Sequence, residues 1–138
     1  MTNDLETKRA NLKSGLTSTV KQLEATGNRV VLVQDVPYFA SPYSSDPRQF
    51  SALEIASGRD LGSQMPRDFA DKNQQAARTA VTSVAQITGA AVLDVREFFC
   101  PKNICRTQIG ETYLYRDDGH ISIAAAKLLE PLFQKILA

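Results

Sequence analysis

Residues 27–37 of the chain read Gly-Asn-Arg-Val-Val-Leu-Val-Gln-Asp-Val-Pro. The apolar run 30–33 is rich in β-branched residues and does not alternate with polar ones, which is typical of a strand covered on both faces in a parallel sheet. Gly27 and Asn28 are expected to end the segment before this strand, and Pro37 ends the strand itself. The stretch therefore predicts a protein of the α/β class.

Helices are predicted on both sides of this strand. Upstream, five apolar residues recur at helical spacing and predict an amphipathic helix: Leu5, Leu12, Leu16, Val20 and Leu23. A second helix is predicted from Pro66 to about residue 88. Its expected buried side consists of Phe69, Ala76, Ala77, Ala80, Val81, Val84 and Ile87. A second apolar strand follows at residues 90–95, so strand, helix and strand have the order of a right-handed crossover unit.

The other segments complete a predicted order of α-β-loop-α-β-hairpin-α within one domain, residues 1–138. Residues 37–66 show no clear period and predict a long loop. A helical turn is expected within that loop, near Phe50, Leu53 and Ile55. Residues 108–115 predict a small hairpin, and residues 122–137 predict a helix that Pro131 should kink or split.

Two parallel strands are too few for the sheet that this pattern requires. Strands covered on both faces need neighbours along their edges. We therefore expect the remaining strands to come from an upstream portion of a longer protein, from a second copy of this chain or from a partner.

Composition excludes several classes of function. The chain has 138 residues, of which 43% are hydrophobic and 22% are charged, as expected for one soluble domain. The formal net charge of +1 argues against a nucleic-acid surface. No apolar run approaches the roughly 18–20 residues of a membrane span. The first residues lack the basic and apolar regions of a secretory signal, so we expect none in this chain.

Cys100 and Cys105 flank a short loop that contains Pro101 and Asn103. Such a loop can bring two cysteines within disulfide distance, but a reduced, half-buried pair in a cytosolic protein remains an open alternative. Two cysteines and one histidine are one ligand short of a structural zinc site.

The stretch 114–122, Leu-Tyr-Arg-Asp-Asp-Gly-His-Ile-Ser, contains the single histidine of the chain. Asp117 precedes His120 by three residues, and a tight turn brings such residues within about 7 Å. The Asp117 carboxylate can then hold Nδ1 of the ring and leave Nε2 facing outward as a base. Asp118 is the weaker candidate for this role. The alternative is a histidine that hydrogen-bonds only the loop or the following helix, where Ser122 is the natural N-cap.

The chain resembles the C-terminal part of the SGNH (GDSL-like) hydrolase domain. It is most similar to the version fused behind the membrane-embedded acyltransferase-3 domain of bacterial surface-polysaccharide and lipopolysaccharide O-acetyltransferases. The resemblance covers roughly residues 5–138 and rests on five segments in the same order: the N-terminal Leu/Val helix, 27–37, 92–95, the cysteine pair and 115–122. It implies a partial three-layer α/β/α fold of the flavodoxin-like type, with a mostly parallel sheet.

By this resemblance, Asp117 and His120 are the acid and base of a Ser-His-Asp triad that acts on O-acetyl groups of cell-surface carbohydrate. The resemblance also implies that Cys100 and Cys105 form a disulfide that closes their loop. It implies a location in the periplasm, or an equivalent exterior space, as part of a membrane-tethered protein. The family's Gly-Asp-Ser block and its oxyanion donors have no counterpart here. We therefore expect the serine to lie outside this chain and the isolated chain to be inactive. The alternative is a non-catalytic or degenerate module that binds or oligomerises through its sheet edge.

Other polar residues are weaker candidates for the chemistry. Four serines of the long loop could approach His120 but lack the strand-to-helix elbow of a nucleophile: Ser41, Ser44, Ser45 and Ser51. Tyr115 and Arg116 flank the pair and could line a groove, although an exposed turn is the commoner explanation. Asp35 follows a strand and is expected to be solvated or to bond its own turn. No cofactor is expected, and a metal bound by His120 and the two neighbouring aspartates would need further ligands.

Overall fold

The computed structural model describes residues 2–49, 52, 56 and 64–138. Its helices include α1 (Thr2–Ala25), α2 (Arg67–Thr88), α3 (Arg96–Phe99) and α4 (Ile123–Leu137). Its strands are β1 (Val31–Val33), β2 (Gln64–Pro66), β3 (Ala91–Leu93), β4 (Ile104–Arg106), β5 (Gln108–Ile109) and β6 (Thr112–Tyr113). The predicted α/β class is confirmed. The helical turn predicted near Phe50, Leu53 and Ile55 lies outside the described residues.

The chain divides into two compact units. The first unit consists of residues 1–34 and 75–94, and the second unit consists of residues 35–74 and 95–138. Of the three two-stranded ladders in the described residues, the one in the first unit is parallel and the two in the second unit are antiparallel.

The first unit is built on the predicted pair of parallel strands. β1 pairs with β3, with Leu32 opposite Val92. The backbone N–H of Gln34 extends the ladder by donating to the carbonyl oxygen of Leu93 at 2.9 Å. Its buried side chain donates from Nε2 to the carbonyl oxygen of Arg78 on α2 at 3.2 Å. This polar residue therefore ties the end of the strand to the helix that connects the two strands.

The apolar faces of the first unit are buried only in part. Val20 and Val84 are fully enclosed. Leu5 and Leu12 on α1 are 54% and 52% exposed, and Ile87 on α2 is 51% exposed. Other residues of the two predicted apolar faces are also exposed: Leu23, Ala76 and Ala77. The predicted burial was wrong at Ala76, Ala77 and Ile87 of α2, because two short strands present too narrow a surface to cover both helix faces.

The second unit contains a ladder that the sequence pattern did not predict. β2 pairs antiparallel with β4, which places Met65 opposite Cys105. Cys105 forms a disulfide with Cys100, and both residues are fully buried. The predicted hairpin is present as β5 and β6, with Gly110 in the turn at a φ of 56°. The disulfide and the ladder together fix the segment that leads to this hairpin.

Aromatic packing forms the core of the second unit. Tyr115 is in contact with Phe39 and Phe99, with ring centroids 5.2 Å and 5.4 Å apart. From α4, Ala125 and Leu129 are also buried. This helix continues through Pro131 to Leu137, so the predicted split does not occur. A proline removes one backbone hydrogen bond of a helix and leaves the others in place.

A polar network supports the segment that enters this core. The Gln74 side chain donates from Nε2 to the carbonyl oxygen of Val36 at 2.8 Å and accepts from the Tyr38 backbone N–H at 3.3 Å. Gln74 Oε1 also accepts from Nη2 of Arg96 at 3.1 Å. Arg96 is buried and forms an ion pair with Asp71, and its burial lowers the pKa of the guanidinium. The network fixes residues 36–38 beside the aromatic core.

Candidate functional site

The single histidine lies in a turn that is closed at its base by the backbone. Tyr115 and Ile121 form an antiparallel bridge. The backbone N–H of Arg116 donates to the carbonyl oxygen of His120 at 2.8 Å. Residues 116–120 therefore form a short closed loop within the second unit.

Ser122 connects this loop to helix α4. Its hydroxyl oxygen accepts the backbone N–H of Ala125 at 3.0 Å, which is the N-cap predicted from the sequence. The same hydroxyl donates to the carbonyl oxygen of Tyr113 at 2.7 Å. Ser122 is thus occupied on both sides by structural contacts, which supports the view that it is a cap and not a nucleophile.

The structure brings Asp117 and His120 together. Oδ1 of Asp117 lies 2.8 Å from Nδ1 of the ring. The same oxygen accepts the backbone N–H groups of Gly119 at 3.0 Å and of His120 at 2.9 Å. Oδ2 of Asp117 lies 3.4 Å from Nη2 of Arg116, whose side chain is exposed. The carboxylate is therefore held inside its own turn, with the imidazole as its third partner.

These contacts determine the charge of the carboxylate and the orientation of the ring. The backbone hydrogen bond from Gly119, followed by the side-chain hydrogen bond from His120, lowers the pKa of Asp117 to about 2. Asp117 is consequently ionised at neutral pH and favours a proton on Nδ1 of a neutral ring. The imidazole side chain is 70% exposed. The arrangement can thus offer an unprotonated Nε2 as a base to a group that approaches from solvent.

Asp118 is turned away from the histidine and toward the long loop. Its Oδ1 accepts the Ser44 hydroxyl at 2.6 Å, the Ser45 backbone N–H at 2.9 Å and the Asp46 backbone N–H at 3.2 Å. The expectation that Asp118 is the weaker partner of His120 agrees with this geometry. No local sequence pattern indicates its three partners in the loop.

The loop serines that reach the turn donate hydrogen bonds to it and are not placed as nucleophiles. Ser45 donates its hydroxyl to the carbonyl oxygen of Asp117 at 3.0 Å, and Ser44 donates to Asp118. Both serines are buried. Ser41 is exposed, and Ser51 lies outside the described residues. The described loop serines are therefore either anchors of the turn or exposed residues.

The loop continues from these serines into an ion pair. The Asp46 carboxylate accepts three hydrogen bonds from Arg48: one from the backbone N–H at 2.9 Å, one from Nε at 3.0 Å and one from Nη2 at 2.8 Å. The side-chain hydrogen bond from Arg48 is the main cause of the lowered pKa of Asp46. These bonds fix the local conformation that follows the two serines.

Two flanking residues behave differently from each other. Arg116 is exposed, as expected. Tyr115 was expected in an exposed turn, but it is fully buried, and its hydroxyl donates to the carbonyl oxygen of Pro37 at 2.8 Å. Its ring fills the space between two phenylalanines, and burial raises the pKa of the phenol. Asp35 accepts the backbone N–H of Val36 at 2.9 Å and therefore bonds its own turn, as expected.

Within residues 2–49, 52, 56 and 64–138, no three His, Cys, Asp or Glu side chains are grouped so that they could hold a metal ion. The helices of this same part of the chain are too short or too polar to cross a membrane.

One family of proteins matches nearly the whole chain. A family model described as "SGNH domain (fused to AT3 domains)" matches residues 2–135. The chain therefore belongs to the SGNH domain family, in the branch found fused to AT3 domains, and the resemblance seen in the sequence is confirmed. No curated protein matches the chain, and no solved structure does.

Proposed function

We propose that this chain is part of an SGNH-type O-acyltransferase or esterase domain that acts on O-acetyl groups of cell-surface carbohydrate. In this proposal Asp117 and His120 are the acid–base pair, and the serine nucleophile is supplied by sequence outside the chain. The supporting observation is the 2.8 Å contact between Asp117 Oδ1 and His120 Nδ1, made by a ring that is largely exposed.

The chemistry follows from the orientation of the ring. Nε2 of His120 accepts the proton of the serine hydroxyl while the serine oxygen bonds to the acyl carbonyl carbon. The resulting imidazolium is stabilised by the ionised Asp117. The imidazolium then returns the proton to the alkoxide of the departing alcohol as the ester C–O bond breaks. An acceptor hydroxyl, or water in an esterase, repeats the same two steps on the acyl-serine and releases the enzyme.

The first unit supports the proposal that another polypeptide segment completes the domain. Its ladder has two strands, and Val33 at the end of β1 is 46% exposed. Leu5 and Leu12 present further uncovered apolar surface. A missing portion of the same domain would supply strands for this edge as well as the serine. This part of the proposal predicts that added sequence stabilises the first unit more than the second.

The disulfide supports a proposal for the compartment in which the protein is located. Disulfides persist in oxidising environments such as the bacterial periplasm. The Cys100–Cys105 bond therefore supports a periplasmic or other extracytoplasmic location, in a protein tethered to the membrane by a domain outside this chain.

The uncovered edge also supports a second candidate function, in which the chain is a non-catalytic module that pairs with a second copy of itself. Light scattering distinguishes the two. A dimer that persists at low micromolar concentration favours self-pairing, whereas a monomer that associates only on heating favours an incomplete domain.

The enzymatic proposal is tested in cells that produce the chain. His120→Ala and Asp117→Ala are introduced at the native locus, with Glu111→Ala, an exposed carboxylate in the β5–β6 turn, as the matched control. The proposal predicts that the first two variants lower the O-acetyl content of the surface carbohydrate and that the control does not. An unchanged O-acetyl content in His120→Ala, with the protein present at normal abundance, would show that the proposal is wrong.

A further inference from the structure

The anchoring of Asp118 is a feature that the acid–base pair itself does not explain. Three donors converge on one oxygen, Oδ1, from residues 72 to 74 positions earlier in the chain. The three donor residues Ser44, Ser45 and Asp46 are 5%, 0% and 3% exposed. Hydrogen bonds to a carboxylate are stronger than neutral ones, especially where water is excluded. These three hydrogen bonds therefore attach the long loop firmly to the turn.

A fourth bond attaches the same segment to the neighbouring residue. The Ser45 hydroxyl donates to the carbonyl oxygen of Asp117 at 3.0 Å. The loop therefore holds the backbone of Asp117 and the side chain of Asp118, which are the two residues directly before Gly119. A turn that contains glycine and carries an exposed ring has many accessible conformations, and these bonds restrict them.

We propose that Asp118 is a positioning residue for the Asp117–His120 pair, an inference that rests on the function proposed above. Its anchoring keeps the Asp117 carboxylate beneath the Gly119 and His120 N–H groups, where that carboxylate meets Nδ1. It also engages Asp118 in three hydrogen bonds, so that this second carboxylate does not compete with Asp117 for the ring.

The single histidine makes the proposal directly measurable on the isolated chain. Long-range ¹H–¹⁵N spectra of the imidazole report which nitrogen carries the proton, and amide exchange reports the bonds that Asp117 makes to Gly119 and His120. Asp118→Ala removes the acceptor. Asp118→Asn keeps an acceptor oxygen at this position but removes its charge, and Glu111→Ala is the matched control for loss of a carboxylate.

We expect Asp118→Ala to reduce the fraction of ring protonated at Nδ1. We also expect amide exchange at Gly119 and His120 to become at least about fivefold faster, the effect of losing roughly one hydrogen bond. Glu111→Ala should match the wild type, and Asp118→Asn, whose neutral oxygen makes weaker hydrogen bonds, should change less than Asp118→Ala. Ser44→Ala, which removes one of the three donors, should give a smaller change in the same direction and serves if Asp118→Ala fails to fold.

Two results would overturn the proposal. One is faster exchange at Ser45 and Asp46 in Asp118→Ala with no change at the imidazole, which would mean that Asp118 anchors only the loop. The other is a change in Asp118→Asn as large as the change in Asp118→Ala, which would mean that an acceptor oxygen at this position does not hold the turn. Neither readout depends on activity. A positive result here together with unaltered O-acetylation in His120→Ala would therefore contradict the proposed function and leave the positioning role intact.

Discussion

Asp117 Oδ1 holds Nδ1 of His120 at 2.8 Å and, at the same time, accepts two backbone N–H groups from the turn that connects the two residues. All the groups that bond Asp117 Oδ1 therefore lie within four consecutive residues. A polypeptide that carries only part of a catalytic domain can present such a pair in its final geometry. The remaining requirement is an alcohol at Nε2 from elsewhere.

The ionisation of Asp117 gives a pH dependence with a definite sign. Its pKa falls from 3.8 to about 2 on folding, so the folded state binds fewer protons than the unfolded state in that range. The stabilisation is fully present above pH 3.8 and is lost as the pH falls through 2. Carboxyl ¹³C shifts should give a midpoint near 2 for Asp117, and Asp117→Asn should lack this contribution. A midpoint at 3.8 or above would contradict the hydrogen bonds described.

The buried hydroxyl of Tyr115 is expected to stabilise the second unit. Tyr115→Phe leaves the Pro37 carbonyl without its buried donor, which costs about 1–2 kcal/mol of the free energy of unfolding. Tyr38→Phe removes a hydroxyl from an exposed ring and should change the stability by less than about 0.5 kcal/mol. Urea denaturation measures both. Equal stability of the two variants would show that the Tyr115 hydroxyl has no stabilising role.

The disulfide is expected to be present in protein purified from an oxidising compartment. Alkylation without reductant should add no mass to the chain, because Cys100 and Cys105 are bonded to each other. The double variant Cys100→Ser/Cys105→Ser should lose about 2 kcal/mol of stability or more. Two alkylated thiols in the untreated protein would show that the bond is absent.

Uncovered leucines of the first unit should contribute little to the stability of the isolated chain. Leu5→Gln and Leu12→Gln are expected to change the free energy of unfolding by less than about 0.5 kcal/mol and to reduce self-association. Val20→Ala, on the buried side of the same helix, should cost about 2 kcal/mol. Sizing measures the self-association, and denaturation measures the free energy of unfolding. A large loss of stability in Leu12→Gln would mean that this surface is covered in the free chain.

Features formed by residues close together in the sequence could be predicted, whereas features formed by residues far apart could not. The Asp117–His120 contact and the Ser122 cap involve residues three apart, so their spacing alone indicated them. The bond between Ser44 and Asp118 joins residues 74 positions apart, and no local pattern specifies it. In the first unit, the periodicity of α1 identified a helix and an apolar face. It did not show that this face lacks a covering layer, because burial depends on elements beyond the helix itself.

The protonation state of the His120 imidazole at a pH where the ring is neutral tests the central claim most directly. Imidazole ¹⁵N shifts of the wild-type chain should show a proton on Nδ1 and a free lone pair on Nε2, and Asp117→Ala should lose this preference. A wild-type ring that already carries its proton on Nε2 would contradict the assignment of Asp117 and His120 as an acid–base pair.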